Sequence, residues 1–162
     1  MGPVGQVALI AVVDPHAAHR SQVAQALISL YRVNEYPDGE RALHGLRAAP
    51  PSVILVDEVI APHGAFDFIL LLKREPALAN IPVIVTSKSP QAAIAEDLKR
   101  CGATCFLPKP YRRSTLINTI TSQVNKHVEA DWDNLPPRER AALKGTVEIF
   151  NNISDFIAAG EP

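Results

Sequence analysis

Four polar residues, each closing an apolar run, carry the chemistry open to this chain. Asp14 follows VALIAVV, Asp57 follows VILV, Thr86 follows PVIV and Lys109 follows CFLP. Two carboxylates, a hydroxyl and an ammonium gathered at one place suit phosphoryl transfer onto a carboxylate. An acid pair offers the hard oxygen ligands that Mg²⁺ prefers. A hydroxyl and a lysine can then neutralise the phosphoryl oxygens. Alone, each residue has a plainer reading: Asp14 as a helix cap, Asp57 as the first residue of a loop, Thr86 as a strand end, Lys109 as a solvated lysine. Only elements that bring the four together make them a site.

Those elements can be read from hydrophobic pattern. Residues 53–57 (VILVD) form a continuous branched apolar run between Pro50-Pro51-Ser52 and the loop at Pro62 to Gly64. That pattern predicts a central strand buried on both faces. Residues 6–13, 82–86 and 104–107 predict further strands, and residues 32–36 a more polar strand near a sheet edge. Helical spacing lies between them. Val23, Leu27 and Leu30 mark one helix, with Asp14 at its N-cap and Pro15 in its first position. Ala42, Leu43 and Leu46 mark a second, capped by Asp38. Phe66, Ile69, Leu70 and Lys73 belong to a third. Ile94, Leu98 and Cys101 mark a fourth, started by Ser89-Pro90 and ended by Gly102. Leu116, Ile117, Ile120 and Val124 face inward from a fifth. Five βα units in about 125 residues predict an α/β fold with a parallel sheet covered on both faces. Strand ends in such a sheet open onto one edge, where open α/β folds place their chemistry. Strand order does not follow from periodicity.

Composition narrows the classes. The 162 residues are 47% apolar and 20% charged, an ordinary globular balance that allows one domain plus an appendage. The formal net charge of −1 gives no electrostatic case for nucleic acid or an anionic membrane as partner. No apolar run reaches membrane-spanning length and no signal pattern opens the chain, so the expected location is cytoplasmic. Cys101 and Cys105 flank a Gly-Ala turn and read as reduced packing residues, not as a zinc pair. His16 and His19 could ligate metal, but the expectation for them, as for Arg112 and Arg113, is a solvated helix face. Residues 129–137 read as a polar, proline-bearing linker. Residues 138–159 read as a helix whose apolar face, with Leu143, Val147, Phe150, Ile153 and Phe156, is too wide for a solvated spacer. It must pack on the domain, on a second copy in a homodimer, or on an output module further along a longer protein.

The motifs VVD (12–14), DGERAL (38–43), VILVD (53–57), PVIVTS (82–87) and CGATCFLPKP (101–110), in this order and spacing, resemble the receiver domain of two-component response regulators. The resemblance covers residues 6–127, followed by a linker at 128–137 and a helical extension at 138–162. It implies a CheY-like, flavodoxin-like (βα)5 three-layer sandwich around a five-stranded parallel sheet. It implies that Asp57 accepts a phosphoryl group from a histidine kinase or phosphotransfer protein. Asp14, Asp57 and the backbone carbonyl of Val59 would hold Mg²⁺. Thr86 would sense the phosphoryl group and Phe106 would change rotamer with it. Lys109 would pair with the group, aimed by a cis Lys109-Pro110 peptide. No enzymatic activity beyond the domain's own Mg²⁺-dependent phosphorylation and dephosphorylation is implied.

The departures have consequences. The family carries two adjacent acids after the first strand; here the second position is Pro15, which removes a ligand and weakens Mg²⁺ binding. Glu58 stands beside Asp57, but adjacent strand-end side chains point apart. Pro62, then His63 and Gly64, imply a one-residue insertion in the loop after the acceptor. Phe106 replaces a tyrosine. Pro15 and the altered loop motivate a second reading, a phosphorylation-independent pseudo-receiver that acts as an interaction or dimerisation module; intact Asp57, Thr86 and Lys109 argue against it. The missing glycine-rich cofactor loop argues against a metabolic enzyme.

Overall fold

The structure is a computed structural model that describes residues 7–88 and 92–134. Its elements alternate as β1 (Leu9–Val13), α1 (Ala17–Leu27), β2 (Arg32–Tyr36), α2 (Gly39–Ala48), β3 (Val53–Asp57), α3 (Gly64–Arg74), β4 (Val83–Ser87), α4 (Ala92–Cys101), β5 (Cys105–Pro108) and α5 (Arg113–Asn134). All strand pairs are parallel, in the order β2-β1-β3-β4-β5. The expected α/β sandwich is therefore present, and its strand order, which periodicity left open, is the doubly wound one.

Alternation along the strands divides the core in two. Ile54 and Val56 of β3 pack with Ala42, Leu46, Phe68, Ile69, Leu72 and Leu98, so α2, α3 and α4 cover that face. Val53 and Leu55 pack with Val23, Leu27, Leu116 and Ile120, so α1 and α5 cover the other. Every residue of β3 and β4 is buried, as the unbroken apolar runs require, whereas the polar β2 forms one sheet edge.

The caps show where pattern reading held and where it shifted. Asp38 caps α2 by accepting the Arg41 N–H at 2.8 Å. Gly102 has φ +122° and closes α4 in a Schellman arrangement, with Ala103 N–H on the Leu98 carbonyl and Gly102 N–H on the Lys99 carbonyl. The expected Asp14–Pro15 start of α1 is corrected: the N-cap residue is His16, and the helix opens at Ala17. Leu30, placed on the inward stripe, lies beyond the end of α1 and is exposed, while Ala26 completes the buried face. Residues 129–134, read as the start of an irregular linker, continue α5. The chain divides into two units, residues 1–127 and 128–162. The Ser89-Pro90 start of α4 and the apolar helix at 138–159 lie outside the described residues.

Candidate functional site

The sheet register assembles the site. Val13 pairs with Val56 and Asp57 with Thr86, so Asp14, Asp57 and Thr86 stand level across three adjacent strand ends. Lys109 follows directly on β5, and its N–H donates to the Ser87 carbonyl at 2.7 Å. β2 and β3 lie on opposite sides of β1, which puts the switch point of the winding between β1 and β3, at Asp14 and Asp57.

The Lys109 ammonium lies between the two acids, 2.5 Å from Asp57 Oδ2 and 3.2 Å from Asp14 Oδ2. All three side chains are buried: 8% exposed for Lys109, 2% for Asp14 and 4% for Asp57. The Thr86 hydroxyl donates to Asp57 Oδ2 over a long 3.4 Å, and the Val59 N–H donates to Asp57 Oδ1 at 3.0 Å. The Lys109-Pro110 peptide is cis, as is Ala61-Pro62 in the loop after the acceptor. Phe106 is half-buried against the core face formed by α2, α3 and α4. The residues singled out in sequence thus come together, with Phe106 one strand position from the site.

Further residues belong to the cluster. His16 and His19, expected on a solvated helix face, are instead partners of Asp14. The His16 main-chain N–H and Nδ1 lie 2.8 and 3.1 Å from Asp14 Oδ1, and His19 Nδ1 hydrogen-bonds Asp14 Oδ2. Tyr111 backs His19, with its hydroxyl 2.7 Å from Nε2. The Ser87 hydroxyl donates to the Glu58 carboxylate. Glu58 therefore does not point away: with Asp57, Val59, His16, Ser87 and Lys88 it lines one cavity of about 80 Å³. Asp57 is the last strand residue, and the turn that follows frees Glu58 from strand alternation. Neither Tyr111 nor Ser87 carries a local sequence signal, because their partners lie 92 and 29 residues away.

The charge of Asp14 is well stabilised. Burial pushes its pKa up, but the hydrogen bonds from His19 and the His16 backbone, with the Lys109 charge, hold it well below the usual carboxylate range. Burial first, then the charges of Asp14 and Asp57, push the Tyr111 phenol upward, which keeps it an O–H donor. A depressed acid pKa contributes stability that is present above the unfolded value and lost as pH falls through the folded one. Asp14→Asn is accordingly expected to lower stability at pH 7 by about 1.5–3 kcal/mol, the range for a charge-assisted hydrogen bond. The gap from wild type should narrow as pH falls below about 4. Urea unfolding across pH checks this; a gap that widens in acid would contradict it.

The donor set suits a hard cation in one respect. Two carboxylates already bridge a positive charge, and Asp57 and Val59 line the adjoining cavity. Among the described residues no group of three or more His, Cys, Asp or Glu side chains is arranged to hold a metal. A divalent ion here would rest on two carboxylates and main-chain oxygen.

The family model for the response regulator receiver domain matches residues 10–121. The chain belongs to this receiver family. Related sequences include the two-component response regulator ORR7 of Oryza sativa subsp. japonica, 31% identical over 71% of this chain and 55% of that protein. The two-component response regulator-like protein APRR5 of Arabidopsis thaliana is 30% identical over 67% of this chain and 20% of that protein. The sensor histidine kinase TmoS of Ectopseudomonas mendocina is 21% identical, with 12% of its length covered. The chain therefore spans between about a tenth and about half of these relatives. Among solved structures, the chemotaxis response regulator CheY4 of Vibrio cholerae matches at TM-score 0.69 and 24% identity, over 73% of this chain and 99% of that one. The receiver domain of a histidine kinase from Syntrophus aciditrophicus matches at TM-score 0.68 and 21% identity, over 74% of this chain and 91% of that one. Both share the receiver fold. Receivers are generally signalling modules and not enzymes; they bind Mg²⁺ at the acidic site and meet histidine kinases and phosphotransfer proteins. Among the described residues of this receiver, no helix is long and apolar enough to cross a membrane.

Proposed function

We propose that this receiver accepts a phosphoryl group on Asp57 from a histidine kinase or phosphotransfer protein and passes the change to an output module or partner. The observation that carries the reading is the Lys109 bridge: a buried ammonium between Asp57 and Asp14, with the Thr86 hydroxyl beside Asp57. An Asp57 carboxylate oxygen attacks phosphorus, the bond to the donor's nitrogen or oxygen breaks, and the donor leaves with that electron pair. Lys109 and Thr86 then face phosphoryl oxygens in place of the carboxylate. Asp14, Asp57 and the Val59 carbonyl would hold Mg²⁺, which would supply further charge neutralisation, and Pro15 in place of a second acid would weaken that hold. Movement of Thr86 leaves room for Phe106 to turn, which alters the surface near α4 and β5. In this reading residues 6–127 are the switch, 128–137 the link and 138–162 the route to output or to a second copy, in the cytoplasm.

Incubation with acetyl phosphate, read by intact mass, tests the reading. A single phosphate adduct is expected in wild type with Mg²⁺, less without it, and none in Asp57→Asn. A phosphate-independent interaction module is the second reading, favoured by Pro15 and by the full occupancy of the Asp14 oxygens. It gains support if neither acetyl phosphate nor a panel of purified histidine kinases and phosphotransfer proteins leaves an adduct.

A further inference from the structure

Asp14 is more heavily engaged than an acid awaiting a metal ion needs to be. A carboxylate offers about four lone-pair sites. On Oδ1 they meet the His16 N–H and the His16 ring; on Oδ2 they meet His19 Nδ1 and the Lys109 ammonium. A metal ion binding Asp14 must displace at least one of these partners. The His16 N–H is fixed by the backbone at the start of α1, and Lys109 is held in common with Asp57. The two imidazoles are the partners that can yield.

They are not equivalent. The His16 side chain is 53% exposed, whereas that of His19 is 22% exposed. The second nitrogen of His19 meets the Tyr111 hydroxyl at 2.7 Å, and the two rings pack edge to face at 5.8 Å. Because a carboxylate only accepts, Nδ1 carries the proton toward Asp14, and the Tyr111 hydroxyl holds the ring through Nε2. An outer-shell arrangement of this kind commonly orients a metal's carboxylate, but here the donor occupies the oxygen itself.

We propose that His19, fixed by Tyr111, is a positioning residue that clamps Asp14 and competes with divalent metal for its carboxylate. The metal affinity of the site is then set by the clamp as well as by the acid missing at Pro15. The inference rests on the proposed reading that Asp14 and Asp57 hold Mg²⁺.

The test is calorimetric titration of the full chain with MgCl2, a readout independent of phosphorylation. His19→Leu is expected to tighten Mg²⁺ binding about tenfold, as loss of one competing charge-assisted hydrogen bond would. His19→Asn keeps a donor near the Nδ1 position and should stay close to wild type, which separates the clamp from mere packing. Tyr111→Phe removes only the backing hydroxyl and should tighten binding about two- to threefold, a fraction of one hydrogen bond; it guards against a misfolded His19→Leu. Unchanged or weaker binding in both His19→Leu and Tyr111→Phe, while Asp14→Asn abolishes binding, would overturn the clamp and leave the metal reading standing. No Mg²⁺ binding in any variant, or binding indifferent to Asp14→Asn, would overturn both.

Discussion

Replacing Lys109 with methionine is expected to cost this receiver about 3–5 kcal/mol of stability, the range for removing one partner from a buried ion pair. Methionine fills similar space, so the loss is one of charge. Without the ammonium, Asp14 and Asp57 lie side by side at two buried strand ends with no cation between them. Like charges at such a distance force one carboxyl to hold its proton near neutrality. A carboxyl whose folded pKa is raised binds more protons folded than unfolded, so the variant should lose stability as pH rises through the unfolded value toward the folded one. The double variant Lys109→Met with Asp57→Asn removes the repulsion and should recover most of the loss. Denaturant unfolding of the two single variants and the double variant forms a cycle. Additive losses would show that the Lys109–Asp57 contact contributes little and would take away the central observation behind the proposed site. The coupling matters for the proposed function because a phosphoryl group on Asp57 would recruit the same ammonium. Its departure from Asp14 would be the first structural consequence of phosphorylation.

Much of this arrangement can be read in the chain, for physical reasons that also mark where reading stops. A strand buried on both faces needs an unbroken apolar run, and VILVD at residues 53–57 supplies it; the strand and its terminal acid lie where the pattern places them. Asp38 before a helical stripe is a cap because its oxygen reaches the N–H three residues on. The same logic misplaces the start of α1. Asp14 does accept an N–H two residues on, but it does so beyond the sheet, and the helix begins after His16. The local chemistry is that of a cap, while the carboxylate belongs to the site. His16 and His19 show the larger limit. Their spacing is indistinguishable from a solvated helix face, and what recruits them is tertiary: an acid at the end of β1 and a tyrosine beyond β5. Glu58 fails in the opposite direction, because alternation governs only residues inside a strand. The roles proposed for Thr86 and Phe106 rest on the family resemblance, since no periodicity could assign them.

Pro15→Asp is the gain-of-function counterpart. Restoring an acid beside Asp14 should raise Mg²⁺ affinity about ten- to a hundredfold, the scale over which charge count and supporting ligands tune a metal site. The backbone can take the change. Pro15 is exposed and lies two residues ahead of the first residue of α1, so no helical hydrogen bond depends on its ring. The added negative charge would stand one residue from Asp14 and be unfavourable until a cation arrives. The variant should therefore be less stable than wild type in a chelator and should gain more from added Mg²⁺, because a ligand that binds only the folded state stabilises it in proportion to its affinity. Thermal unfolding with EDTA and with rising MgCl2 measures both effects, and the rate of acetyl phosphate labelling reports whether the tighter ion also speeds transfer. Combination with His19→Leu separates the two obstacles. If the missing acid and the clamp act independently, the two gains in affinity multiply. If Pro15→Asp alone reaches the affinity of the combination, the new carboxylate supplants Asp14 as principal ligand, and His19 no longer stands in the way. A Pro15→Asp variant that binds Mg²⁺ no better than wild type would show that the missing acid does not limit the site and would turn attention to the loop between Val59 and Gly64.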